Sequence, residues 1–222
     1  MSTLLERYRS VRSALPPHVT LVAVSKTRGV AEIKALHDLG QRAFGENYPQ
    51  ELREKQPLLP QDIEWHFIGH LQRNKVKYIA PFVHLIHAVD SAELLDEIEK
   101  RAAALDRTIG ILLQVHIAQE DTKHGLLFEE ASAIVRTWDG VRWPHVELRG
   151  LMGMATNTED GTIVHHEFVQ LRTLFDELAP LALALGQPFR TLSMGMSADA
   201  GIAVSAGSTM IRVGSALFGS RS

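Results

Sequence analysis

No cysteine occurs in the 222-residue chain, which excludes disulfides, thiolate nucleophiles and cysteine-held metal or iron–sulfur centres. The same absence fits a reducing compartment, and the expected location is the cytoplasm. Lys and Arg number 23 against 26 Asp and Glu, so there is no broad cationic field for a phosphate backbone. Nucleic acid is not an expected partner. Long apolar runs are missing too. The longest, LAPLALALG at 178–186, is too short to span a bilayer. The N-terminal MSTLLERYRSVRSALPPH alternates apolar with charged residues and lacks an apolar signal core, so no membrane is expected as a partner. No G-x-G-x-x-G follows the first apolar run, and no H-E-x-x-H occurs among the eleven histidines. Pairs such as His84/His87 and His165/His166 lack accompanying ligands at useful spacing, and no metal is expected.

What the chain does contain is a repeating alternation. Short apolar or alternating runs recur at 21–25, 43–46, 64–69, 85–89, 110–117, 147–154, 191–195 and 210–214. Between most of them lie segments with helical spacing, among them 91–105, 128–138, 165–185 and a short one at 198–207. Eight strands alternating with helices imply a parallel sheet, and eight is the number that closes a barrel. The expected fold is therefore a (β/α)8 TIM barrel forming a single domain over 1–222, with a doubly wound open sheet as the alternative. SAEL at 91–94 suggests a capping box, and Gly186, Gln187 and Pro188 close the long helix. After the eighth run only Ser215 to Ser222 remain, too few for a full closing helix. An N-terminal helix over 3–14 is expected to cover the seam between the first and last strands.

In such a barrel chemistry collects at the C-terminal ends of the strands. The first run, LVAVSKTRG, goes straight from buried apolar residues into Ser25 and Lys26. One reading is a lysine whose stem lies along apolar surface with its ammonium in water. The other is a desolvated amine aimed into the barrel mouth, a nucleophile toward aldehydes. Two later loops are rich in small residues: SMGMSAD (193–199) after the seventh strand and RVGSALFG (212–219) after the eighth. Gly and Ser permit close backbone approach, and the loops after strands seven and eight are where such barrels hold phosphate. Arg212 puts a cation inside an apolar strand and needs an acid, a carbonyl or a ligand atom as partner. Glu46, Asn47, His66 and Met152 to Met154 are further strand-end groups placed to line the same mouth.

The blocks LVAVSKT, FGENYPQE, EWHFIGHLQRNK, EDTKHG, ELRGLMGM and LSMGMSADAGIAVSAGSTMIRVGSALFG closely resemble the YggS/PROSC family of pyridoxal 5'-phosphate (PLP) homeostasis proteins, a family similar to alanine racemase. They span nearly the whole chain in order. The resemblance implies a fold-type III PLP barrel in which Lys26 is the Schiff-base lysine and Arg212 faces the pyridine nitrogen. It assigns Ser197, Gly214 and Ser215 to the phosphate, and Asn47 and Met154 to the sides of the ring. Ser193 and Met196, from the same small-residue loop, complete the expected cofactor-binding set. His116 stands where the family pattern has Asn.

Barrel-type racemases of this class carry a second, β-rich domain that supplies a catalytic tyrosine across a dimer interface. No C-terminal β-domain is expected here, and no catalytic residue is assigned. A cationic Arg212 beside the pyridine nitrogen keeps that nitrogen unprotonated and weakens the ring as an electron sink. The expected function is thus a monomeric carrier that stores, buffers or delivers PLP, with apo PLP-dependent enzymes as its recipients. The alternatives are a PLP-dependent amino-acid racemase or lyase and, from the barrel alone, a class I aldolase-type enzyme.

Overall fold

The computed structural model describes residues 3–120 and 123–219. Asp121 and Thr122 of the EDTKHG block, and Ser220 to Ser222, lie outside the described residues. Eight strands follow one another: β1 (Thr20–Val24), β2 (Ala43–Glu46), β3 (Glu64–Phe67), β4 (Leu85–Val89), β5 (Ile109–Val115), β6 (Val146–Gly153), β7 (Thr191–Met196) and β8 (Met210–Val213). Each pairs in parallel with the next, and β8 closes on β1 with Val22 opposite Arg212. All eight expected runs supply a strand, and the open sheet is excluded. β4 and β5 are buried along their whole length, the pattern of parallel strands covered on both faces.

Two apolar clusters result. The larger joins the outward faces of the strands to the helices. A smaller one, with Val22, Leu85, Leu112, Met152 and Met210, is built from strand residues and fills the barrel interior. The helices that matter most for the site are α1 (Leu4–Ser13), α2 (Val30–Asp38), α3 (Pro49–Lys55), α4 (Val76–Ile79), α5 (Ala92–Ala103), α6 (Phe128–Arg136), α7 (Gly161–Ala184), α8 (Ala200–Ser205) and α9 (Ser215–Phe218).

The seam is covered as expected. α1 begins with a reciprocal cap, Glu6 N–H to Thr3 Oγ1 at 3.2 Å and Thr3 N–H to Glu6 Oε2 at 2.7 Å. It lays Leu4, Tyr8 and Val11 against the core, and Arg7 Nε donates to the Leu217 carbonyl of α9 at 2.7 Å. Two local expectations need correction. Ser91 does cap α5, accepting from Leu94 N–H at 3.3 Å, but the third helical position is Leu94, so half of the capping box is missing. α7 starts at Gly161 instead of 165, because Asp160 caps it by accepting from Thr162 N–H at 2.8 Å.

Candidate functional site

A cavity of about 390 Å³ opens at the C-terminal ends of β1, β2, β6, β7 and β8, within the range of small-molecule sites. Lys26, Asn47, Met154, Met196, Ser197, Arg212, Gly214 and Ser215 all line it. Ser193 is the one expected cofactor-binding residue that does not: it is fully buried behind Arg212. Met152 lies in the barrel interior, and Glu46 and His66 are buried behind the wall. Val24, Arg28 and Ile68 line the cavity as well; nothing in the spacing of the sequence singled them out.

Lys26 stands just past the end of β1, in a turn where Thr27 takes φ 63°, an uncommon conformation for a β-branched residue. The turn is pinned from below. Lys55, at the end of α3, donates to the Ser25 carbonyl at 2.9 Å and pairs with Glu46 at 2.8 Å and Glu51 at 2.6 Å. Glu51 in turn accepts from the Thr27 N–H at 2.6 Å, and Ser25 Oγ donates to Glu46 at 2.7 Å. The backbone on both sides of Lys26 is therefore gripped by one ionic cluster. Complete burial pushes the Glu46 carboxyl above its ordinary range, even with Lys55 beside it.

Across the cavity, Arg212 projects from β8. Its NH1 donates to the Ser193 carbonyl at 2.9 Å and to Ser193 Oγ at 2.7 Å, and NH2 donates to the Gly153 carbonyl at 3.0 Å. The partner that a buried arginine requires is thus a set of neutral oxygens. Among the described residues three of its five N–H donors find an acceptor, leaving the one on Nε and one on NH2 for a ligand acceptor. Burial pushes the guanidinium down to about 10, so it stays charged at neutral pH.

The remaining wall is made of small residues. Gly214 N–H donates to Ser197 Oγ at 3.4 Å, which ties the loop after β7 to the loop after β8. The first amides of α9 have no intrahelical acceptor, as at any helix start. Asn47 is placed by a close backbone crossing: a Cβ on Gly69 would stand 2.3 Å from the Asn47 carbonyl oxygen. Asn47 Oδ1 is buried and, among the described residues, without a partner. His116 is turned to the Glu120 carbonyl at 3.0 Å and does not line the cavity.

Histidines distant in sequence also come together. Glu64, His66 and His84 offer ligand atoms within 4.8 Å of one another at the barrel floor, as do His70, Asp90 and His124 on the outside. In the first group Arg149 NH1 already donates to His84 Nε2 at 3.1 Å, placing a fixed cation where a metal would have to compete.

The family described as "Alanine racemase, N-terminal domain" matches residues 1–222. A protein of Pasteurella multocida named "Pyridoxal phosphate homeostasis protein" is 38% identical over 206 residues, covering 91% of this chain and 87% of its own. One of the same name from Pseudomonas aeruginosa is 36% identical over 232 residues, covering 100% and 97%. Among solved structures, PipY of Synechococcus elongatus without PLP superposes with a TM-score of 0.91 at 37% identity, over 98% of this chain and 100% of that one. PipY with PLP bound superposes at 0.85. Alanine racemase from Bartonella henselae shares the fold at 15% identity, with a TM-score of 0.72, and 60% of its chain is covered.

Proposed function

The chain belongs to the pyridoxal phosphate homeostasis proteins of the alanine racemase N-terminal domain family, and on that premise we propose that it binds PLP in the barrel mouth, attached to Lys26, and carries it without significant catalysis. The observation that carries this reading is the pairing of two cations across one cavity, Lys26 and Arg212, beside two loops of small residues. When bound, PLP supplies an aldehyde that joins an amine covalently and a pyridine ring whose nitrogen accepts a hydrogen bond or a proton.

The residues fit that group. Lys26 offers the amine, Ser197, Gly214 and Ser215 would hold the phosphate, and Asn47 and Met154 flank the space for the ring, with Met196 at its rim. Arg212 keeps two unused N–H donors and a fixed charge, so it suits an acceptor nitrogen and disfavours protonation there. A ring left unprotonated is a weak electron sink, which favours a carrier over a racemase or lyase. Action as a monomer in the cytoplasm, supplying apo enzymes that use the same cofactor, belongs to the same proposal.

The test is an absorption spectrum of the PLP-loaded protein before and after borohydride, followed by peptide mapping. A visible band lost on reduction and a label on Lys26 are expected. A label on Lys123, whose amine is held by the Ala155 carbonyl at 2.5 Å and by Glu120 at 3.2 Å, would overturn the site. Turnover of any amino acid at about 1 per second or faster would overturn the carrier role.

A further inference from the structure

Behind Arg212 a buried chain of polar groups runs from the cavity toward the barrel floor. Arg212 NH1 donates to Ser193 Oγ at 2.7 Å, Ser193 Oγ meets His87 Nδ1 at 3.1 Å, and His87 Nε2 meets His66 Nδ1 at 2.8 Å. Ser193, His87 and His66 are all buried. Beyond His66 come Glu64 and His84, each with a polar atom within 4.8 Å of the others.

The direction of this chain follows from its first link. Ser193 Oγ accepts from the guanidinium, and its only other partner among the described residues is His87. If the hydroxyl donates to His87 Nδ1, then His87 Nε2–H donates to His66 Nδ1, and a single donor is left over, the N–H on His66 Nε2. Among the described residues that atom is indeed buried and without a partner. Reversed, the chain would strand two groups, the Ser193 hydroxyl hydrogen and a lone pair on His66, and an unmade bond in the interior costs more than a net bond returns. Both rings must also be neutral. Burial, and after it the neighbouring His84 and Arg149, pushes His66 down to about 3. Burial, and after it His66, Arg212 and His84, holds His87 well below its ordinary value.

We propose that Ser193, His87 and His66 form a directional hydrogen-bond relay, and that His87 is a positioning residue that fixes Ser193 and, through it, the guanidinium that Arg212 presents to the cofactor ring. It assigns Ser193 a place behind the pocket instead of in its wall. This deepens the proposed function and rests on it for the ring, although the relay itself belongs to the protein without cofactor.

Two measurements test it. Nitrogen-15 NMR of the full chain at pH 7, with signals assigned by loss in His87→Gln and His66→Gln, should show both rings neutral and protonated on Nε2. A His87 ring carrying its proton on Nδ1, or a doubly protonated ring, would overturn the relay whether or not PLP binds. In the loaded protein, His87→Phe should weaken PLP binding about fivefold, the equivalent of one ordinary hydrogen bond, and shift the visible band. His87→Gln should restore both, since its amide oxygen can accept from Ser193 while its nitrogen donates to His66. His87→Phe added to Ser193→Ala should change little further, because the two act through one link. A folded His87→Phe protein with the parental band and affinity, or full additivity in the double variant, would refute the positioning role. An absent band in the parent protein would refute the PLP reading and leave the NMR result to decide the relay.

Discussion

Two buried polar networks back the same cavity from opposite sides, and they differ in kind. Behind the Lys26 turn the network is ionic: Lys55 sits between Glu46 and Glu51 and holds backbone atoms of Ser25 and, through Glu51, Thr27. Behind Arg212 it is neutral, a serine and two histidines whose protons are all spoken for except one. The ionic cluster fixes the backbone on both sides of a lysine that lines the cavity. The neutral relay fixes a side chain without setting a carboxylate against it; the carboxylate that acts on the guanidinium, Asp199, does so without a hydrogen bond to it. A site that needs one amine and one permanent cation thus has carboxylates hydrogen-bonded into the network on the Lys26 side, while the guanidinium is bonded to neutral oxygens.

The sharpest way to break this comparison is to exchange the two lysines' fates. Lys26→Ala should abolish the borohydride-trapped adduct altogether while leaving the urea midpoint nearly unchanged, since its side chain faces the cavity. Lys55→Met should do the reverse. It strands the fully buried Glu46, and breaking a buried pair in this way costs about 3 to 5 kcal/mol, while the adduct on Lys26 should still form in whatever protein remains folded. An unchanged urea midpoint in Lys55→Met would show that the cluster is not what holds the turn.

Acid should strike the neutral network. His66 and His87 are depressed in the folded state, His66 from 6.5 to about 3, so below about pH 6.5 the unfolded chain binds protons that the folded chain refuses. Stability is then fully present above pH 6.5 and is lost as pH falls toward 3, by at most about 1.4 kcal/mol per pH unit for each ring. Thermal midpoints at pH 7, 6 and 5 should fall progressively, and His66→Gln should flatten the decline. A variant as acid-sensitive as the parent would place the loss in other groups.

The barrel was legible because each strand is a short apolar run and each is followed by a turn signal, so order and number alone specify closure. Helices α2, α3 and α4 were harder to see. α3 buries only Pro49, Leu52 and Lys55, and a buried lysine contradicts the periodicity by which a helix is recognised. In the site, Lys26, Arg212 and the two small-residue loops stood out because each breaks a local rule: a cation after or inside an apolar strand, or glycine and serine where a helix should start. Ser193 was not separated from Ser197 on sequence: four residues apart, the two fall on one face by alternation, and what parts them is depth, Ser193 lying inside β7 and Ser197 just past its end. The ionic cluster and the relay were invisible for a deeper reason. Apart from Glu51 and Lys55, an i,i+4 pair on α3, their members sit on different strands and helices, and no spacing along the chain reports a contact made by closing a barrel.

The smallest effect expected is at the tie between the two loops. Ser197 is exposed at the cavity rim, and its Oγ accepts from Gly214 N–H at 3.4 Å, a long bond that contributes little to the empty protein. If these loops hold the phosphate, Ser197→Ala removes one hydroxyl donor from an anion and frees the Gly214 amide, a net loss of about 1 kcal/mol or roughly fivefold in PLP affinity. Pyridoxal, which has the aldehyde and the ring but no phosphate, meets Lys26 and Arg212 in the same way and should bind the variant and the parent equally. Titrating both ligands against both proteins by the visible band separates the ends of the cavity. Equal losses for PLP and pyridoxal would move Ser197 away from the phosphate, and with it the assignment of the loops after β7 and β8.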